Sequence, residues 1–339
     1  MLNGEMIMLT LIARFAALCL FTMVALTLCL EQSAAQVARI EYYPVHSVTL
    51  TDTEFLQGKT NGIPVTVAGE LRIPKPGNDQ LPAVVLLHGS GGVLGTGGNN
   101  DEWSKELNAL GIATFATDSF SGRNIVQTAF DQAQLGRLAM IFDAYRALEL
   151  LSKHPRIDPT RVALMGFSRG GQAALYASVK RFQKMYGPKD GTDFAAYVAF
   201  YPDCSTVYHD DDIVSAKPIV ILHGTADDYN PAARCKQIVE RVTKAGGNIR
   251  QIVYEGAYHV FDAPALKQPI KLAQATTTRR CEIVETDNGR LLDRETQQPF
   301  TYSDPCVEKR VTIAYDSAAA AQAKTFLRDF LNSALLLKN

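Results

Sequence analysis

The sequence lacks a surplus of charge of either sign. Its 339 residues include 34 Lys and Arg residues and 35 Asp and Glu residues, for a formal net charge of −1. The basic residues do not cluster, so the electrostatic footprint of a nucleic-acid-binding protein is missing. No segment repeats with a period of 20–50 residues and no low-complexity tract occurs, which excludes a repeat architecture. A content of 47% hydrophobic and 20% charged residues is ordinary for one large globular domain.

The first 35 residues have the composition of a signal peptide. An apolar run extends from Phe15 to Leu30, and the small residues Ser33 and Ala35 satisfy the A-x-A-like rule for signal peptidase. We therefore expect cleavage after Ala35, an extracytoplasmic (periplasmic or secreted) mature protein, and no stable membrane association afterwards. The alternative is an uncleaved membrane anchor, but the run is short for a span of about 20 residues.

Cleavage leaves four cysteines, an even number in a chain directed to an oxidising compartment. Three pairings are possible, and the sequence alone does not choose among them. We favour Cys281–Cys306, because these two bracket one compact segment, with Cys204–Cys235 as the second pair. Free buried thiols are the alternative for the second pair.

Strand and helix patterns alternate through residues 36–339, which we interpret as a single domain. Six apolar runs are typical of strands buried on both faces: 82–87, 112–117, 162–165, 196–201, 219–222 and 249–254. Helical periodicity separates them, most clearly from Ile141 to Leu151 and from Ala232 to Ala245. The alternation predicts an α/β fold with a mostly parallel central sheet and helices on both faces, entered by antiparallel strands near 40–43 and 65–73.

Residues 263–314 interrupt this alternation. Asn288-Gly289 lies between β-prone residues there, which is a strong hairpin signal. We interpret the segment as a β excursion closed by the Cys281–Cys306 disulfide and inserted before a last helix over 318–337. It is long enough to reach a functional site.

The sequence Gly166-Phe-Ser-Arg-Gly170 matches the motif G-x-S-x-G. It follows an apolar strand and leads into a good helix start, the setting in which a serine takes a strained backbone and exposes its hydroxyl. The alternative is a purely structural role, in which the glycines only form a tight turn. The strand–turn–helix context favours Ser168 as a nucleophile.

A serine nucleophile needs a base, and in folds with this motif an acid and then a histidine follow the serine. His259 follows the last predicted strand, so a loop can return it to Ser168, and we select it as the base. His223 and His88 end apolar strands and are predicted to be structural. His209 lies in Tyr208-His-Asp-Asp-Asp212, where a solvated acidic loop is favoured over a metal site.

Asp227 is the acid that we select to orient the base. It lies in His223-Gly-Thr-Ala-Asp-Asp228, at the carboxyl end of a predicted strand. Asp228 and Asp203 are the alternatives, and we expect one of the two adjacent aspartates to cap the following helix.

Acyl transfer also requires backbone N–H donors for an oxyanion. We predict one from Arg169, which follows the nucleophile, and one from Ser90 in the glycine-rich His88-Gly-Ser-Gly-Gly92. This run lacks the Gly-Lys-Ser/Thr ending and the G-x-G-x-x-G spacing, so nucleotide binding is rejected.

Four motifs together resemble the dienelactone hydrolase family of α/β-hydrolases: "LLHGSGG", "GFSRGG", "HGTADDYNP" and "YEGAYHVFD". The resemblance covers residues 81–262 and resumes at "YDSAAAAQAKTFLRDFL". It implies an α/β-hydrolase fold, a triad of Ser168, Asp227 and His259, and an oxyanion hole from Ser90 and Arg169. The founding enzymes of the family differ, because they use a cysteine nucleophile, are cytoplasmic and lack the stapled excursion.

Three further residues are candidates for substrate binding. Arg123 lies in a segment that resembles the family segment whose arginine holds a substrate carboxylate, and its planar fork suits that role. A salt bridge that shapes the loop is the equal alternative. Trp103 and Tyr258 are candidates to line the acyl pocket, although aromatic residues near a site are as often core.

We therefore expect a serine hydrolase that cleaves a small-molecule carboxylic ester or lactone through an acyl-enzyme, with no metal and no organic cofactor. A catalytically silent binding module of the same fold is the first alternative, although all three triad members are present. A peptidase is the second, although nothing that resembles a gating domain precedes residue 80. The sequence has no readable code for the natural substrate or the oligomeric state.

Overall fold

An eight-stranded sheet runs through the centre of the protein, whose computed structural model describes residues 37–95 and 99–337. Its strands are β1 (Arg39–Thr49), β2 (Ile63–Ile73), β3 (Leu81–Leu87), β4 (Ala113–Asp118), β5 (Ile157–Phe167), β6 (Tyr197–Phe200), β8 (Ile219–Gly224) and β9 (Ile249–Tyr254), and the short β7 (Thr206–Val207) lies outside it. The spatial order is β1-β2-β4-β3-β5-β6-β8-β9. β1 and β2 join by antiparallel pairing, and the other strands are parallel. The expected signal peptide lies outside the described residues.

Helices cover both faces of this sheet. They are α1 (Asp52–Leu56), α2 (Asn99–Ala109), α3 (Ala139–Leu151), α4 (Arg169–Tyr176), α5 (Lys180–Tyr186), α6 (Ala232–Lys244) and α7 (Ser317–Ala334). Successive side chains of a strand point to opposite faces, so Val85 and Leu87 of β3 join one core with α3 and α6. Val84 and Leu86 join a second core with α2 and α7. The predicted α/β-hydrolase fold is confirmed.

The last helix begins and ends earlier than the predicted 318–337. The Asp316 carboxylate accepts hydrogen bonds from the backbone N–H groups of Ala318 and Ala319, which caps α7 at its amino end. Sequence analysis overlooked this N-cap, although aspartate is a preferred residue there.

The excursion contains two small β structures. Strands β10 (Ile270–Thr277) and β13 (Glu308–Ile313) pair in antiparallel fashion. Between them, β11 (Ile283–Glu285) and β12 (Leu291–Asp293) form the predicted hairpin. Gly289 takes a φ of 73° in its turn, a conformation that residues with a Cβ rarely adopt. β11 also pairs in parallel with β7, which attaches the hairpin to the body of the protein.

Two disulfides are present, one within the excursion and one outside it. Cys281–Cys306 closes the excursion over 25 residues, and Cys204–Cys235 joins the segment after β6 to α6. Both are the pairings that the sequence favoured, and they indicate an oxidising compartment. Over residues 37–95 and 99–337, no helix is long and apolar enough to cross a bilayer.

Candidate active site

Ser168 occupies a sharp corner between β5 and α4. Its φ of 54° and ψ of −113° lie outside the regions that residues with a side chain prefer. The flanking glycines make the corner possible: a Cβ on Gly166 would lie 2.0 Å from the Gly170 carbonyl oxygen, and one on Gly170 would lie 2.3 Å from that of Leu87. The backbone N–H of Ser168 donates to Phe200 of β6 at 2.9 Å, which fixes the corner to the sheet.

Ser168, His259 and Asp227 lie in one hydrogen-bonded line. The His259 Nε2 atom is 3.0 Å from the Ser168 hydroxyl oxygen, and its Nδ1 atom is 2.7 Å from the Asp227 Oδ2 atom. All three side chains are buried. This is the arrangement in which an imidazole can take a hydroxyl proton while a carboxylate orients the ring.

The Asp227 carboxylate is held in one orientation by its own turn. Its Oδ1 atom accepts the backbone N–H groups of Tyr229 and Asn230 at 2.9 and 2.8 Å, so only Oδ2 faces His259. The neighbouring His223 Nε2 lies 3.4 Å from Oδ2 and donates to the Asn230 carbonyl oxygen at 2.5 Å. His223 therefore supports the turn, the structural role that the sequence predicted.

The environment of Asp227 favours its ionised form. Burial by itself raises the pKa of this carboxyl, but the charge of His259 and the hydrogen bonds from His223 and His259 outweigh burial and hold the pKa well below its usual range. A lowered folded-state pKa contributes stability that is present above the unfolded value of about 3.9 and is lost as pH falls through the folded value. Asp227 is thus a carboxylate at neutral pH.

Two tyrosine rings enclose the imidazole of His259. The centroid of the Tyr201 ring lies 4.6 Å from that of His259, and the centroid of the Tyr229 ring lies 4.8 Å away. Tyr201 and Val260 both take positive φ values, 37° and 64°, so the backbone is strained next to the base. Sequence analysis missed both tyrosines, although Tyr201 directly follows β6 and Tyr229 follows the two aspartates.

A buried carboxylate, Asp262, anchors Tyr201. The Tyr201 hydroxyl donates to Asp262 at 2.8 Å, and the Asn99 amide and the Trp103 indole N–H donate to it as well, at 3.0 and 2.7 Å. Burial raises the pKa of Asp262, and the hydrogen bonds from Trp103 and Tyr201 offset part of that rise. Asp262 is the last residue of the motif "YEGAYHVFD", but the sequence analysis assigned it no role.

The residues predicted to form an oxyanion hole lie beside Ser168. A Cβ on Gly89 would be 3.3 Å from the Ser168 Cβ, so the loop that carries Ser90 touches the corner. Among the described residues, the backbone N–H groups of Ser90 and Arg169 have no backbone acceptor. Arg169 is the first residue of α4, where N–H groups have no intrahelical partner. Both amides are therefore available to a ligand.

The excursion contributes to the cavity at Ser168. Leu272 of β10 and Ile313 of β13 line it together with Ser168 and His259. The backbone N–H of Ala314 also donates to the His259 carbonyl oxygen at 3.1 Å. The sequence left the reach of this segment open, and the structure brings it to the wall of the site.

The alternative acids have other partners. Asp228 accepts the backbone N–H and the hydroxyl of Thr312 at 2.7 and 3.0 Å, which attaches β13 to the body. Asp203 accepts from Arg137 at 2.5 Å. The expected N-cap role of Asp227 or Asp228 was wrong, because α6 begins after Pro231 without a side-chain cap.

Arg123 does not line the cavity at Ser168. Its guanidinium forms an ion pair with Asp143, at 2.8 and 2.9 Å, and its remaining N–H groups donate to Thr49, Ser119 and Val48. All five donors are thereby used inside the protein. The structure corrects the substrate-clamp interpretation in favour of the structural salt bridge.

Trp103 and Tyr258 are also absent from the walls of this cavity among the described residues. Trp103 lies on α2 and its side chain is buried in the second core. Its ring centroid is 5.2 Å from that of Phe200, and its indole N–H donates to Asp262. Tyr258 is 37% exposed. The interpretation that Trp103 and Tyr258 line an acyl pocket was wrong. Their proximity to the motifs in sequence did not bring their side chains to the wall of the cavity at Ser168.

His88 and His209, which the sequence analysis also considered, lie outside the hydrogen-bonded line of Ser168, His259 and Asp227. His88 is buried between the Gly89 carbonyl oxygen at 2.8 Å and the Ser119 backbone N–H at 3.1 Å. The side chain of His209 is 41% exposed, 3.9 Å from Asp287. Across the described residues, no three His, Cys, Asp or Glu side chains form a group suited to a metal ion.

Comparison with known proteins gives a family and a fold. The family model described as "Dienelactone hydrolase family" matches residues 68–285. A dienelactone hydrolase-like promiscuous phosphotriesterase from metagenomic libraries is 17% identical with a TM-score of 0.54, over 87% of this chain and 98% of that one. Thermogutta terrifontis esterase 2, phosphorylated by paraoxon, is 17% identical with a TM-score of 0.54, over 90% of this chain and 97% of that one. The structural likeness at such identity concerns the fold alone.

Proposed function

Because the chain belongs to the dienelactone hydrolase family, we propose that it is a serine hydrolase that cleaves a carboxylic ester or lactone through an acyl-enzyme. One observation carries the proposal: the Ser168 hydroxyl oxygen lies 3.0 Å from His259 Nε2, and His259 Nδ1 lies 2.7 Å from Asp227. These distances allow proton transfer from the hydroxyl during attack on a carbonyl carbon.

The proposed reaction has two balanced halves. In the first, the Ser168 oxygen bonds to the carbonyl carbon, the ester C–O bond breaks, and His259 passes the serine proton to the leaving alcohol oxygen. In the second, His259 takes a proton from water, whose oxygen bonds to the acyl carbon. The bond between that carbon and the Ser168 oxygen then breaks, His259 returns the proton to Ser168, and the acid leaves. Asp227 keeps the imidazole in the tautomer that presents a lone pair on Nε2 to Ser168.

The backbone N–H groups of Ser90 and Arg169 are proposed to stabilise the oxyanion. Their lack of backbone acceptors among the described residues supports this role. The macrodipole of α4 adds to it, since Arg169 is the first residue of that helix and the amino end carries partial positive charge. Donors that are oriented before the reaction stabilise charge without reorganisation, which is the largest contribution to many acyl transfers.

A covalent phosphylating probe tests the nucleophile. Paraoxon should attach its diethylphosphoryl group to Ser168, found by mass spectrometry of the peptide that contains it. The Ser168→Ala variant should remain unlabelled. The Ser333→Ala variant is the matched control, because this serine is exposed on α7, and it should react like the unaltered protein. A lack of adduct on folded protein, or an adduct that persists in Ser168→Ala, would favour the silent binding module over the enzyme.

We propose further that the protein works outside the cytoplasm after cleavage behind Ala35. The apolar run from Phe15 to Leu30 and the two disulfides support this location. Amino-terminal sequencing of the protein recovered from its native compartment should begin at Gln36. A chain that retains residues 1–35 in the membrane fraction would support the uncleaved anchor instead.

A further inference from the structure

Ser168 lies between two compartments of different character. The first is lined by His259 and by the apolar side chains of Phe167, Val93, Leu272 and Ile313, and has a volume of about 50 Å³. The second has a volume of about 30 Å³ and is lined chiefly by polar side chains, among them Arg137, Gln172, Thr277 and Tyr302. Ser90 and Tyr229 border both compartments.

The position of His259 assigns a role to each compartment, on the basis of the proposed function. The general acid must reach the oxygen of the leaving alcohol, so the alcohol lies on the side that His259 lines. His259 lines the apolar compartment and does not line the polar one, within the residues that the structure describes. The acyl group, on the other side of the carbonyl carbon, then extends into the polar compartment.

Residues that line the polar compartment carry buried hydrogen-bond donors that have no protein acceptor among the described residues. The Gln172 Nε2 and Arg137 Nε atoms are buried without an acceptor among the described residues, and these side chains belong to residues only 4% and 3% exposed. The Tyr302 hydroxyl accepts from Arg137 at 2.9 Å, which leaves its own proton free to donate. Buried donors without partners are costly, so such groups beside a cavity favour a ligand that pairs with them.

Hydrogen-bond acceptors face the same space. The hydroxyls of Thr276, Thr277 and Thr278 donate to Phe130, Tyr229 and Asp203 respectively. Thr277 also accepts the Arg279 backbone N–H and Thr278 lies 3.1 Å from the Ser205 hydroxyl, so the oxygen of Thr276 keeps the most acceptor capacity. A group that both accepts and donates, such as a hydroxyl, matches this mixture better than a carboxylate, which only accepts. Asp203 already pairs with Arg137 at 2.5 Å. Arg169 also lines the compartment, but its guanidinium donates to Gln132 and to the carbonyl oxygens of Leu135 and Gly136.

The size of the compartment limits the acyl group. One water needs roughly 10–15 Å³, so a cavity of about 30 Å³ holds a few non-hydrogen atoms. The three lining threonines and Tyr302 come from the excursion, which is closed by Cys281–Cys306. The excursion thus supplies four of the thirteen residues that line the compartment.

We propose that the natural substrates are esters of short acyl groups that carry a neutral hydroxyl next to the carbonyl, and that Gln172 and Tyr302 select this hydroxyl. The alcohol portion is apolar and lies in the compartment lined by Leu272 and Ile313. Gln172 and Tyr302 are specificity residues, and they do not touch the bonds that break.

Two esters of nearly equal size test this selection. Phenyl glycolate and phenyl propionate share the same alcohol, and their acyl groups differ by a hydroxyl in place of a methyl. After division by the rate constants for hydroxide-catalysed hydrolysis, kcat/KM should favour glycolate by about tenfold, the effect of one net hydrogen bond. The preference should fall towards one in Gln172→Leu and in Tyr302→Phe, both of which keep the shape of the side chain.

The matched control is Tyr42→Phe, which removes a hydroxyl from an exposed tyrosine on β1 and should keep the tenfold preference. Equal rates for glycolate and propionate in the unaltered protein, or a preference that survives both variants, would overturn the inference. Faster hydrolysis of monophenyl malonate than of phenyl glycolate would overturn it too, because the selected group would then be an anion. If no ester is hydrolysed and paraoxon does not label Ser168, the proposed function itself fails.

Discussion

Replacing His259 with alanine is expected to lower kcat/KM for phenyl acetate by a factor on the order of 10⁶. The imidazole is the only side chain near the Ser168 hydroxyl, in the described residues, that is within hydrogen-bond distance and can take its proton. Without it the serine attacks as a neutral alcohol, a poor nucleophile at neutral pH. Initial rates at a fixed pH, with circular dichroism to verify folding, measure this loss.

His209→Ala is the control for that experiment. His209 also follows Ser168 in the chain, but its side chain is 41% exposed, near Asp287 and away from the catalytic line. Its removal should leave kcat/KM unchanged. A similar loss in both variants would mean that the assay reports folding, and retained turnover in folded His259→Ala would eliminate the proposed mechanism.

Replacing Asp227 with asparagine is expected to lower kcat by about 10⁴, through the wrong tautomer of His259. The backbone N–H groups of Tyr229 and Asn230 hold an oxygen at the Oδ1 position, so the new amide nitrogen must face His259 Nδ1. An N–H donor there forces the imidazole proton onto Nε2. The base would then present a proton to Ser168 where it needs a lone pair.

The adjacent aspartate provides the comparison. Asp228→Asn makes the same chemical change one residue later, but Asp228 binds Thr312 and does not contact His259. We expect a modest loss of stability from the attachment of β13, and kcat near that of the unaltered protein. If Asp228→Asn were the more damaging variant for kcat, the selection of Asp227 as the acid would be wrong.

Local patterns were sufficient to predict the architecture. Each of the six apolar runs overlaps a strand of the central sheet, because a strand buried on both faces needs continuous apolar residues. The hairpin at Asn288-Gly289 followed from a turn that requires positive φ. Cys281–Cys306 was favoured because these cysteines bracket one segment, and Cys204–Cys235 was the pair that remained; the structure contains both disulfides.

Interpretations that depended on where a side chain points were less successful. Arg123 was a candidate clamp because of its neighbours in the chain, but Asp143, 20 residues later, takes its guanidinium. Trp103 likewise has a partner far away in sequence, because its indole N–H donates to Asp262 inside the core. Arg137 and Tyr302 belong to no motif. Only the tertiary structure, which brings them to the same cavity as Ser168, identifies them as residues of the site.

The amino-acid order alone determined the corner at Ser168, since the steric demand of Gly166 and Gly170 is local and acts within a few residues. It also placed an acid and then a histidine at the ends of later parallel strands, which meet at one edge of a sheet. Only the packing of distant segments decided which donors lack partners around Ser168. That outcome depends on every competing hydrogen bond nearby, and those competitors come from parts of the chain far apart in sequence.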